Sequence, residues 1–169
     1  MIIRVIELNT FSNVWYWMAV IVTWAMASHW LIGVPFDLLF LARKATGQAV
    51  TDLEALVDIN VRRIVMLDDL AGTWVVALGA FVLSVLGLTG FYYGIEIAQG
   101  IFALGAPLAL VGLMNLRLAR QLHQVPLAGK ELVQRLFAVR LWTQVIGMLA
   151  LFFTSMYGMY FNIHNLPFF

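Results

Sequence analysis

The chain contains no cysteine. That absence excludes disulfides, thiolate metal sites, cysteine-ligated iron–sulfur clusters and a cysteine nucleophile. Charge is also scarce: 11% of the 169 residues are charged against 63% hydrophobic, and the mean hydropathy is +0.91. A soluble domain of this length needs a charged surface, which this composition cannot supply. A net charge of +1 gives no reason to expect nucleic acid as a partner. Catalytic signatures are missing too, with no His-Glu-x-x-His, no Gly-x-Ser-x-Gly and no Gly-x-x-x-x-Gly-Lys phosphate loop. Asp68 and Asp69 adjoin and would point apart on a helix, which makes a poor acid–base pair. The sequence points away from an enzyme.

What is present is a set of four long apolar segments, roughly 12–34, 72–94, 97–116 and 137–161. A hydrocarbon core of ~30 Å takes about 20 apolar residues as helix. The strict alternation of a membrane β-barrel is absent. The expected fold is all-α, an integral membrane four-helix bundle forming one membrane domain over residues 1–169. Ala25-Met26-Ala27 mimics a signal-peptidase site, but Arg4 is balanced by Glu7, which favours reading the first run as an anchor.

Basic residues set the orientation. Arg43, Lys44, Arg62 and Arg63 fall between the first and second spans, and Arg117, Arg120, Lys130, Arg135 and Arg140 between or just inside the third and fourth. Only Arg4 lies on the other side. Lys and Arg concentrate in cytoplasmic loops. The pattern predicts a multi-pass protein of a bacterial inner membrane, with both termini periplasmic and two long cytoplasmic loops. Aromatic belts agree: Trp15, Tyr16, Trp17, Phe91, Tyr92, Tyr93, Tyr157 and Tyr160 mark the outer level, and Trp30, Trp74 and Trp142 the inner.

Thr51-Asp52-Leu53-Glu54 has the spacing of a capping box and predicts a helix over about 51–70. Leu53, Leu56, Val57, Asn60, Ile64 and Leu67 share one face; Glu54, Asp58, Arg62 and Asp69 share the other. The expectation is an amphipathic cytoplasmic helix between the first two spans. Pro126 breaks the second loop, and Gly129 precedes the last helix. The first loop is net acidic and the second strongly basic, so the two should pair.

Small residues run along the spans: Thr73, Ala77, Ala80, Ser84 and Gly87, then Gly90-x-x-x-Gly94; Gly105, Ala109 and Gly112, with Pro107 as a kink; and Gly147, Thr154 and Gly158 beyond Arg140 and Gln144. Such stripes allow close helix packing in lipid, first of all within the bundle. Gly90 and Gly94 are also candidate partner contacts. Leu41-Ala42-Arg43, Glu54 and Arg63 recur as Leu118-Ala119-Arg120, Glu131 and Arg140, the pattern of a repeated out–in–out hairpin.

Ionisable groups inside a membrane are costly and are functional suspects. His29 is flanked at helical spacing by Ala25 and Gly33, a setting that admits a flat macrocycle such as haem or bacteriochlorophyll. Without a second intramembrane His, no cofactor is expected, and a histidine bonded to a neighbour is the plainer reading. Arg140 and Gln144 form a polar pair suited to a lipid phosphate or quinone headgroup. Alternatively Arg140 snorkels or pairs with Asp68 or Asp69. Glu96 reads as a solvated turn residue. Asn60, on the apolar face of the loop helix, reads as a hydrogen-bonding partner of a span, or as a contact to another protein.

Three stretches carry a family resemblance: Phe11-Ser12-Asn13-Val14-Trp15-Tyr16-Trp17, Ser28-His29-Trp30-Leu31-Ile32-Gly33-Val34-Pro35-Phe36-Asp37 and Asp58-Ile59-Asn60-Val61-Arg62-Arg63. Together they resemble a small family of four-span membrane proteins from the Rhodobacterales, whose members often carry the label of a component of the Suf iron–sulfur assembly complex. The resemblance runs over most of the chain and implies an alphaproteobacterial inner membrane. It brings no functional residues with it.

The functional expectation is a non-catalytic accessory or assembly subunit of a larger inner-membrane complex, respiratory or photosynthetic. Its partners would be membrane lipids and other membrane subunits. Two further readings stand beside it: a small transporter or channel built of two out–in–out hairpins, and a haem- or pigment-binding protein using His29.

Overall fold

The computed structural model describes residues 10–44 and 47–165. Helix α1 runs Val14–His29, followed by strands β1 (Trp30–Leu31) and β2 (Val34–Pro35) and helix α2 (Phe36–Lys44). Helix α3 runs Gln48–Gly87 and closes in a π-turn at Leu88–Tyr92; α4 is Glu96–Gln124 and α5 is Gly129–Asn165. The fold is helical. Three stretches, Gln48–Tyr92, Glu96–Gln124 and Gly129–Phe161, are long and apolar enough to cross a membrane. The chain is thus a membrane protein by helix length and composition.

The first apolar run, expected as one span over 12–34, is interrupted. Asn13 caps α1, its side-chain oxygen accepting the Trp15 N–H at 3.0 Å. The helix then ends at His29, because Ile32 and Gly33 both take positive φ, 52° and 72°. Two central residues of that kind make a tight hairpin turn, closed by pairing of Trp30 with Pro35 and Leu31 with Val34. Gly33 suits the left-handed conformation, whereas Ile32 bears strain there and is held by burial at 4% exposure.

Residues 51–70 are helical, yet they form no separate element. They are the first half of α3, which continues unbroken into the second apolar run. Its 40 residues extend about 60 Å, twice the hydrocarbon thickness. The capping box is not used, since α3 begins one turn before Thr51 and the Glu54 carboxylate accepts the Gly129 N–H at 2.6 Å. The amphipathic pattern is nevertheless visible in burial. Leu53, Val57 and Val61 are buried, and Asp58 and Arg62 are exposed as an ion pair of 2.9 Å.

Helices α3 and α4 pack antiparallel in one register: Asp68 meets Arg120, Leu83 faces Gly105, Phe102 faces Gly87, and Gly90 backs onto Gln99. Arg135 on α5 donates to Gln121 on α4. Carried along the helices, these pairings bring Trp74 and Trp142 to one level and Tyr92 and Tyr160 to another. Both helices cover about 27 Å between the two levels, close to a hydrocarbon core of ~30 Å. All four rings are exposed, as expected at a membrane boundary.

The main core lies beyond the tryptophan level, at the basic end. It joins Ile32, Val34, Leu39 and Ala42 to Leu53, Val57 and Val61, then to Leu118, Ala119 and Leu122 and to Leu132, Val133, Leu136 and Val139. A smaller cluster of Val20, Trp24 and Val111 sits between the aromatic levels. The division has a physical cause. Water rewards burial of a leucine by roughly 1.5–3 kcal/mol, whereas lipid gives apolar helices no comparable drive to associate. The acidic and basic loop sequences also meet here, through Asp68 with Arg120 and Glu54 with the Gly129 backbone. Among the described residues the strand pair and α2 have no counterpart between α4 and α5, so the two hairpins differ in their elements.

Candidate functional site

Helix α1 covers one side of the α4–α5 pair. Trp24 lies against Gly147, where an added Cβ would sit 2.8 Å from the indole, and the Tyr16 hydroxyl donates to the Gly100 carbonyl at 3.1 Å. The opposite side of the same pair is open. It forms a groove of about 740 Å³ lined by Gln99, Phe102, Ala106, Pro107 and Leu110 from α4, and by Ile146, Leu149, Phe153, Thr154 and Tyr157 from α5. Phe91 closes its outer end, 5.6 Å from Phe102 and 6.0 Å from Tyr157 between ring centroids. Helix α3 does not roof this groove: Thr73 to Val82 are exposed at every position. The stripe of Thr73, Ala77 and Ala80 therefore faces away from the bundle.

Polar groups gather at the outer end of the groove. Gln99 is 4% exposed and donates through Nε2 to the Gly90 carbonyl at 2.7 Å. Its Oε1 is buried without a hydrogen-bond partner. Glu96 is 6% exposed and accepts the Phe11 N–H at 2.7 Å. Its reading as a solvated turn residue is thereby corrected. The physical reason is the Phe11 amide, which leaves water at the start of α1 and needs an acceptor. Phe11 itself is buried, edge-on to Tyr16 and Tyr157, and its carbonyl accepts from the Trp17 indole at 2.9 Å. Nothing in the sequence joins positions 11 and 96, because the donor is a backbone amide and no side chain at position 11 signals the acid that accepts from it.

The residues singled out from sequence are distributed over several places. His29 is the last residue of α1 and exposed, with Ala25 one turn before it. Gly33 lies past the helix end in the hairpin turn, so the expected platform of small residues on both sides of His29 is not formed. Arg140 pairs with neither Asp68 nor Asp69. Its guanidinium stacks 3.3 Å over the Phe36 ring, and its Nε donates to the Ser28 carbonyl at 3.4 Å. Gln144 is half-buried one turn along α5. Asn60 donates to the Gly33 carbonyl at 3.4 Å, fastening α3 to the hairpin.

Gly90 and Gly94 serve the hairpin between α3 and α4. A Cβ at Gly90 would lie 2.9 Å from the Gln99 backbone nitrogen, so this glycine sets how closely α3 and α4 approach. Gly94 has φ +71° in the connecting turn, with nothing within 4 Å. Among the described residues no group of three or more His, Cys, Asp or Glu could hold a metal ion. What the groove offers is a long apolar wall with a polar, aromatic outer end.

The chain matches no family model, no curated protein and no solved structure.

Proposed function

We propose that the protein is a non-catalytic accessory or assembly subunit of a larger bacterial inner-membrane complex of respiratory or photosynthetic type. The observation that carries this reading is the open groove between α4 and α5. Its floor includes Ala103, Ala106 and Ala150, residues small enough for the close backbone approach by which helices associate in lipid. A neighbouring helix laid there would complete the fourth side that α3 leaves unroofed.

In this reading the basic end faces the cytoplasm, and α1 is a fourth crossing. Helix α1 has 16 residues, short for a span, but its flanking turn extends it. Phe11 packs at Gly158 and Ser28 meets Arg140, so the segment matches about 27 Å of α5.

Gentle detergent extraction followed by native electrophoresis tests the proposal. The protein should migrate with a larger assembly, and a photo-crosslinker at Leu110 or Leu149 should capture a second membrane polypeptide. Migration as a monomer, with no crosslink from either position, overturns it.

A further inference from the structure

A second cavity, of about 710 Å³, opens at the basic end of the molecule, away from the α4–α5 groove. Arg43 and Lys44 reach it from the end of α2, and Lys130 from the start of α5. Ala42, Val50, Val133 and Phe137 make an apolar floor. No carboxylate lines it among the described residues. The ion pairs among the described residues are Asp58 with Arg62 and Asp68 with Arg120, so none of these three cations is held in an ion pair. Aromatic rings hold two of them: Arg43 lies 4.8 Å over Phe137 and Lys44 4.3 Å over Phe40.

The backbone adds to this field. Helices α3 and α5 both begin at the cavity, at Gly47 and Gly129, but the Gly129 N–H is already held by the Glu54 carboxylate, so the uncapped start is that of α3. Gly47 supplies no side-chain cap. First-turn N–H groups have no acceptor inside their own helix, and a helix start carries roughly half a positive charge. Helix α2 ends at the same place with the opposite partial charge, which its own Arg43 and Lys44 offset. The result is a positive recess with a hydrophobic base.

We propose that this recess binds a phosphomonoester, with the phosphoryl dianion among Arg43, Lys44 and Lys130 and the apolar remainder on Val50, Val133 and Phe137. Three cations and the uncapped start of α3 converging on one small volume suit a dianion with several acceptor oxygens better than a single carboxylate. Two sources share this chemistry. Phe137 lies about 7–8 Å beyond the Trp142 level along α5, which is headgroup depth for a layer of ~5–8 Å per leaflet. A phosphatidic acid headgroup could enter there; a water-soluble phosphomonoester could enter past Lys130.

The test uses the full chain in detergent micelles. The soluble probes are inorganic phosphate and glycerol 3-phosphate, followed by calorimetry; the lipid probe is phosphatidic acid against phosphatidylcholine, followed by native mass spectrometry. Saturable binding in either arm is expected. The triple variant Arg43→Gln/Lys44→Gln/Lys130→Gln should weaken it by roughly tenfold or more, as expected for the loss of charge-assisted contacts. Arg63→Gln/Arg117→Gln/Arg135→Gln removes the same charge elsewhere and should leave binding unchanged. Thr51→Trp, at an exposed position of the lining, fills the recess and keeps every cation; it should also weaken binding and covers the case in which the triple variant fails to fold. Binding in the soluble arm assigns the site to a free phosphomonoester, and binding of phosphatidic acid alone assigns it to lipid. Saturation in neither arm, or equal weakening by both triple variants, overturns the proposal.

Discussion

The Asp68 carboxylate on α3 reaches the Arg120 guanidinium on α4 at 2.6 Å, through the space that a side chain at position 72 would fill. Gly72 thus makes room for the one ion pair that joins the two longest-packed helices among the described residues. The pair is lopsided, with the Asp68 side chain 6% exposed and the Arg120 side chain 55% exposed. Asp68 Oδ1 has no partner of its own.

That asymmetry predicts unequal losses. Arg120→Ala strands a buried carboxylate and should cost about 2–3 kcal/mol, whereas Asp68→Ala leaves a solvated Arg and should cost less than half as much. Thermal unfolding in detergent reads both. Equal shifts would mean that Asp68 is better hydrated than its surroundings suggest.

Glu96 anchors the turn before α1, and the anchor needs an acceptor rather than a charge. Glu96→Gln should keep the bond to the Phe11 amide and cost little. Glu96→Ala should lose about 1–3 kcal/mol and expose the bond after Phe11 to protease. A limited-proteolysis time course distinguishes the two variants.

The glycines of α3 should separate by position. Gly90→Ala drives a Cβ into the Gln99 backbone and should destabilise by about 1–3 kcal/mol. Gly79→Ala meets nothing within 4 Å and should be neutral, or stabilising by up to about 1 kcal/mol. A stabilising Gly90→Ala would mean that α3 and α4 stand further apart than their contacts indicate.

Much of this architecture was readable from composition. The three long membrane helices follow from apolar runs of sufficient length, and the meeting of the two polar loops from their opposite charge. Other features were hidden for physical reasons. The end of α1 falls inside an apolar run, and its signal was Gly33 and Pro35, which interrupt helix while leaving hydropathy untouched. The union of the loop helix with the second span was masked by the change from amphipathic to wholly apolar sequence near Gly72, which alters surroundings without breaking backbone. The burial of Glu96 and the choice of Arg120 for Asp68 depend on helix register, which single residue types do not encode.

The matched aromatic levels give a depth prediction. The chain has no native cysteine, so single-cysteine variants can be labelled without background. Spin labels at Trp74→Cys and Trp142→Cys should report the same immersion depth. Labels at Tyr92→Cys and Tyr160→Cys should match each other in the opposite leaflet. Unequal depth within either pair would show that α3 and α5 cross the bilayer at different heights.

The placement of the core also dictates an order of assembly. Its parts come from residues 32–61 and 118–139, so a nascent chain cannot complete it until the third long helix has begun to emerge. The earlier helices must wait in the bilayer with their water-facing ends unlatched, held by insertion alone. The last helix is therefore the latch of the whole molecule. A chain truncated before Leu132 should insert normally, yet remain open to proteolysis at its basic end.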